Sequence, residues 1–152
     1  MRAYMRKHPI HRGVFPNSNR RGAVAVEMAL LAPFLATMIV GITEIGQLQR
    51  AECYIAEAAH YGCTTGSLAG GGNSSVISDI QSSLTAVRMT AASATITIKV
   101  NDIVKDVSTA QADDKISVTV SIPVSAISWT GTHVFVPASA TVSKTVVMLR
   151  QG

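Results

Sequence analysis

The side chains able to do chemistry are few, and their spacing limits what they can do. Cys53, Glu57, His60 and Cys63 form the densest set, at spacings of four, three and three. On a helix, neighbouring members of that series fall on similar faces, so a metal site is conceivable. Zinc spacings usually differ, and the full set spans too many turns for one ion. No metal is therefore expected, and a disulfide is the stronger use of Cys53 and Cys63, internal or between subunits. The two stand ten residues apart; on one continuous helix that is about 15 Å of rise, too far for a bond. Internal pairing requires a helix break near Gly62.

Enzyme signatures are absent from the sequence. G-x-S-x-G, H-E-x-x-H and G-x4-G-K-[ST] do not occur. Gly70-Gly71-Gly72 is followed by no lysine and reads as linker. His8 and His11 lie near the start, His133 is isolated in a loop, and the acidic residues between 102 and 114 sit around turns. The chain reads as a non-enzyme without a cofactor.

One carboxylate stands apart because of its surroundings. In RRGAVAVEMALLAPF (20–34), Glu27 lies five residues past Gly22 inside an apolar run. A charge at membrane depth is costly and usually signals a function. The competing reading is an interfacial glutamate that snorkels to headgroups.

The elements that must position Glu27 follow from composition. Ala23–Thr43 holds 21 residues with Glu27 as the one charge. As a helix this spans about 31 Å, close to the hydrocarbon thickness of a bilayer. Residues 1–22 carry six basic residues and no acidic one, whereas 23–152 carry seven basic and nine acidic. The basic flank predicts a cytoplasmic N-terminus and an external C-terminal part. No folded basic face or set of stacking aromatics accompanies the leader, so nucleic acid is not an expected partner. A cleaved secretory signal would need a processing site after the apolar run. The stretch TEIGQLQRAEC (43–53) offers no A-x-A, and Arg50-Ala51-Glu52 before Cys53 is no lipobox. Ala25, Ala29, Ala32 and Ala36 draw a seam of small residues where another helix can approach closely. Pro33 interrupts the run, and a kink or local melting is expected there.

Beyond the span, a helical stem over 44–65 carries Ile45, Leu48, Ile55 and Ala59 as the stripe to be buried. GSLAGGGNSS (66–75) reads as a loop, and 75–88 as a short helix with Val76, Ile80, Leu84 and Val87 on one face and a cap among 73–75. Strands follow at 94–100, 103–108, 115–122 and 138–149, with turns at Asn101-Asp102 and Asp113-Asp114. Trp129, Gly131 and Pro137 fall in an irregular stretch before the last strand. The expected class is α+β: a long membrane and stem helix packed on a small four-stranded antiparallel sheet, with 66–152 as the external domain.

Arg-Arg-Gly, four apolar residues, Glu27 and a long apolar run together resemble the processing site of type IV pilin-like proteins. The fuller string G-AVAV-E-M-ALLAPFL, the stem EIGQLQRAECYIAEAAHYGCTTGS and the closing ISVTVSIPV and ASATVSKTVVMLR are similar to the TadE-like minor pseudopilins of tight-adherence (Flp-type) pilus systems. Met28 stands where that class usually has an aromatic residue, and His60-Tyr61-Gly62-Cys63 where it has an arginine-containing turn. The resemblance implies a pilin-like fold and cleavage between Gly22 and Ala23 by a prepilin peptidase. It implies an inner-membrane single span with the C-terminal domain periplasmic or extracellular, at the pilus base or in the fibre. The implied partners are the peptidase, other pilins, a TadF-like pseudopilin, the assembly platform and membrane lipid. A glycine before the cut gives a peptidase backbone access. Cleavage would bare an amine on Ala23 and leave Glu27 in the first helical turn, where the macrodipole favours negative charge. Its carboxylate can then reach an amine of a neighbouring subunit. The alternative is an unprocessed single-span envelope protein whose external domain binds a ligand or partner.

Overall fold

The computed structural model describes residues 18–127 and 135–151. Most of the basic leader, with His8 and His11, lies outside the described residues, as do Trp129, Gly131 and His133. The chain divides into two compact units, Met1–Thr37 and Met38–Gly152.

In the first unit, helix α1 (Ser18–Ser67) begins five residues before the expected start at Ala23. Arginine and alanine favour helix, and one glycine costs only about 1 kcal/mol, so nothing at 20–23 halts it. The helix continues through Pro33 without the expected melting. Proline removes the donor for the Ala29 carbonyl, and Thr37 Oγ1 donates back to the Pro33 carbonyl at 2.8 Å. Every residue from Gly22 to Val40 is exposed.

The second unit is built around the remainder of α1, which carries a different pattern. Gly41, Glu44, Ala51, Ile55, Ala58, Ala59, Gly62, Cys63 and Gly66 are buried, a stripe at three- and four-residue steps. Leu48 is half-buried within it, but Ile45 is 51% exposed and does not belong to it. The helix runs through Gly62 to Ser67, two residues beyond the expected end of the stem at 65, so the break near Gly62 that an internal disulfide would require is absent. The chain turns instead at 68–72, where Gly70 takes φ +88°, a left-handed conformation that favours glycine.

Helix α2 (Asn73–Ala86) buries Val76, Ile80 and Leu84, and its N-cap is Gly72 without a side-chain cap. Asn73 is engaged elsewhere: its Oδ1 accepts the Val107 N–H at 3.0 Å. Gly62 explains how α2 approaches α1, because a Cβ there would lie 2.5 Å from Ile80 Cδ1.

Three antiparallel strands, β1 (Thr95–Val100), β2 (Lys115–Pro123) and β3 (Thr141–Leu149), form the sheet in the order β1-β2-β3. Central β2 buries Ile116, Val118, Val120 and Ile122 completely, as period-two alternation predicts. Ile98 pairs with Val118 and Val118 with Val146, so one apolar row crosses the sheet. On the other face, Thr119 bonds Thr145 at 2.8 Å and Ser121 bonds Ser143 at 2.9 Å. The core joins this sheet face to Ile55, Ala58, Ala59 and Cys63 of α1 and to the buried face of α2.

The expected fourth strand at 103–108 does not form. After Asn101 and Asp102, both at positive φ, one bridge links Val100 to Ile103 and the chain enters a 3-10 turn at Val107–Thr109. Side chains satisfy the backbone there. Asp106 Oδ1 accepts the Ser108 N–H, and Asn73 accepts that of Val107. Those donors are thereby unavailable for a ladder.

Candidate functional site

Gly22, Ala23 and Glu27 lie on one exposed helical segment. A Cβ on Gly22 would meet nothing within 4 Å. The chain's own described packing thus gives no reason for glycine at a helical position where alanine is better by about 1 kcal/mol. Glu27 forms no ion pair among the described residues. At 100° per residue, Ala25, Ala29, Ala32 and Ala36 fall within about 60° of arc, while Glu27 lies on the opposite side. Seam and carboxylate therefore lie on different faces of the helix. Bulky residues flank the seam, with Met28, Leu35 and Ile39 all largely exposed, and Leu30 and Phe34 extend the apolar surface on the side of Glu27. A continuous apolar surface of this kind marks contact with lipid or other helices.

The cysteines separate rather than converge. Cys53 is exposed, Cys63 is buried, and both are free. Because the helix does not break at Gly62, the geometry for an internal disulfide is missing. The Cys63 thiol sits 3.6 Å from both the Ile116 and Val146 carbonyls. Burial pushes its pKa up, which keeps it protonated and unreactive. Among the described residues no three His, Cys, Asp or Glu side chains gather as metal ligands.

Two buried charges escaped the sequence reading. Glu44, at the start of the stem, is 6% exposed. Its carboxylate accepts the N–H groups of Phe135 at 3.1 Å and Val136 at 3.3 Å. Arg150 is 8% exposed, and its Nη1 donates to the carbonyls of Gly66 at 3.2 Å and Val107 at 2.9 Å. The Gln151 N–H also meets the Ser67 carbonyl at 2.9 Å. The bonds to Gly66 and Ser67 serve carbonyls that end α1 without a helical donor, and the bond to Val107 ties that end to the 3-10 turn. A signal existed for Glu44, since it falls in phase with Gly41, Leu48, Ala51 and Ile55. None existed for Arg150, whose partners are remote in sequence.

A shallow cleft of about 220 Å³ is lined by Arg50, Tyr54, Arg88 and Met89 among others. It holds no nucleophile paired with a base.

Comparison with known proteins adds one match: residues 22–63 fit the family model described as TadE-like protein. No curated protein and no solved structure matches the chain. The matched segment opens on Gly22, includes Glu27 and the alanine seam, and closes on Cys63 in the buried stem stripe. From Gly22 to Cys63 the chain is thus similar to TadE-like proteins, and this segment lies in its one helix, among the described residues, long and apolar enough to cross a membrane.

Proposed function

We propose that the chain is a structural minor pseudopilin of a tight-adherence pilus, processed by a prepilin peptidase after Gly22. The observation that carries this reading is the TadE-like match, which starts at the glycine before the expected cut. The unexplained Gly22 and uncommitted Glu27 support it. Water adds across the Gly22–Ala23 amide, leaving a carboxylate on Gly22 and an ammonium on Ala23. The cationic leader departs, and Glu27 becomes the fifth residue of the mature helix. There it faces the free N–H groups of the first turn.

In the assembled state, Glu27 of one subunit neutralises the Ala23 ammonium of another. Such a pair offsets much of the cost of burying both charges, and removing one partner costs about 3–5 kcal/mol. The alanine seam packs against a further pilin helix. Because seam and carboxylate lie on opposite sides, the contacts are heterologous and extend an assembly rather than closing a dimer. The leader is cytoplasmic, the span lies in the inner membrane and the external domain faces the periplasm or beyond. Other pilins, a TadF-like pseudopilin and the assembly platform are the partners.

N-terminal sequencing of the membrane-extracted protein tests this directly. Co-expression with the peptidase should give Ala23 as the first residue, and Gly22→Trp should leave Met1 in place. Loss of residues 1–22 from the tryptophan variant would refute the cut site. Intact wild type in cells that make the pilus, with Glu27→Gln silent, would favour the unprocessed envelope protein.

A further inference from the structure

Gly41 lies in the last turn of the apolar run 23–43, and Glu44 is the first residue beyond it. Both belong to the same compact unit as the external domain. Gly41 is buried, and Phe135 covers it: a Cβ at 41 would lie 2.7 Å from Phe135 Cε2 and 3.2 Å from Cδ2. The ring is nevertheless 56% exposed. Glu44 fixes that position through the N–H groups of Phe135 and Val136. A carboxylate so buried is costly unless bonded, so the contact holds the segment firmly. An aromatic ring is thus pinned, outward-facing, beside the helix where the apolar run ends.

We infer that Phe135 is a membrane-interface anchor, seating the external domain on the outer surface of the lipid bilayer. The inference rests on reading 23–43 as the membrane span. A ring packed beside Gly41 shares its depth, the outer edge of the hydrocarbon, where lipid covers an exposed apolar ring that water would otherwise meet. Charge complementarity points to the same occupant. Arg50 lies seven residues beyond Thr43, about 10 Å along the axis, and helical side chains lean back toward the N-terminus. The headgroup layer is about 5–8 Å thick on each side of the hydrocarbon, so the Arg50 guanidinium reaches its phosphates. Arg88 lines the same cleft as Arg50, and neither forms an ion pair among the described residues. Gln47 and Ile127 line both this cleft and the small cavity beside Glu44, which makes the face continuous.

The test uses the unaltered full chain in nanodiscs of phosphatidylcholine and phosphatidylglycerol, doped with a lipid carrying a diazirine near the glycerol. After irradiation, mass spectrometry maps the adducts. Adducts at 135–137 together with 38–43 are expected. Glu44→Ala, which frees the segment, should lower the 135–137 yield several-fold while leaving the 38–43 yield unchanged. In Arg50→Gln/Arg88→Gln the yield at 135–137 should no longer rise with phosphatidylglycerol content. Adducts over 38–43 with none at 135–137 overturn the anchor. Absence of adducts anywhere in 23–43 overturns the span reading instead.

Discussion

Replacing Arg150 by methionine keeps the volume of the side chain and removes its donors. In the native fold, Nη1 serves the Gly66 carbonyl in the last turn of α1 and the Val107 carbonyl in the 3-10 turn. Hydrogen bonds to a charged group contribute about 1.5–3 kcal/mol each, and the charge itself favours a helix C-terminus by about 0.3–1 kcal/mol. Against this, methionine relieves the desolvation of a guanidinium that is 8% exposed, worth several kcal/mol. The balance is a loss of about 2 kcal/mol, because the buried Gly66 carbonyl is left unmet, while the Val107 carbonyl keeps the Ala110 N–H at 3.0 Å. For a domain of this size that lowers Tm by about 6–12 °C. Thermal melts of the full chain in detergent, followed by far-UV circular dichroism, read the folded domain while micelles hold the apolar helix. Arg150→Lys should lose less, since an ammonium still donates. Gln151→Ala should be neutral, since that residue contributes its backbone N–H. If Arg150→Met melts within about 1 °C of wild type, water replaces the guanidinium and the reasoning is wrong.

Three further outcomes follow from packing and charge. Gly62→Ala places a Cβ 2.5 Å from Ile80 Cδ1 and Cγ1. Overpacking of about 1–3 kcal/mol should exceed the gain of about 1 kcal/mol in helix propensity, and Ile80→Val in the same chain should restore part of the loss in a urea melt. A water-soluble maleimide should label Cys53 at neutral pH and reach Cys63 only after unfolding; equal labelling rates would contradict the buried thiol. The pKa of Asp114 is held down chiefly by the Gln111 N–H, with help from the Asn101 amide. A carboxyl whose folded pKa is lowered stabilises the fold above its ordinary value, and that contribution is lost as pH falls through the lowered value. Below about pH 4 the Tm of Asp114→Asn should therefore fall less steeply than that of wild type; parallel slopes would contradict this.

The strands were legible where a single face is buried. Ile116, Val118, Val120 and Ile122 alternate because every second residue of β2 meets the core. The segment 103–108 has comparable apolar content, yet Asn73 and Asp106 take its backbone donors and the strand is lost. That competition depends on Asn73, more than thirty residues upstream, and no local pattern records it. Ile45 was misplaced for a different reason. The apolar run makes every face of α1 look alike up to Thr43, so apolar residues cannot set the phase of the first stem turns. Small residues and a carboxylate set it: Gly41, Glu44, Ala51 and Ile55 are in step, and Ile45 is not. Arg150 was illegible because the carbonyls it serves belong to a helix end and a turn brought together only by folding.

The glycines divide the chain by where their reasons lie. Gly41 makes room for Phe135, Gly62 for Ile80, and Gly66 sits against Val76. Each follows from contacts within the compact unit Met38–Gly152. A Cβ added at Gly22 or Gly46 would meet nothing within 4 Å, yet each glycine weakens α1 by about 1 kcal/mol relative to alanine. Gly22 shares this property with its neighbours: Glu27 has no ionic partner among the described residues, and the alanine seam is fully exposed. The folded domain accounts for its own sequence through packing, whereas residues 22–37 have no such account among the described residues. A segment whose glycine, carboxylate and small residues all lack internal reasons is shaped by what it meets outside. The TadE-like match covers that segment and continues into the buried stem. The same helix thus runs from a surface that the described packing does not explain to a stripe that it does, and the change from one to the other falls at Gly41 and Glu44.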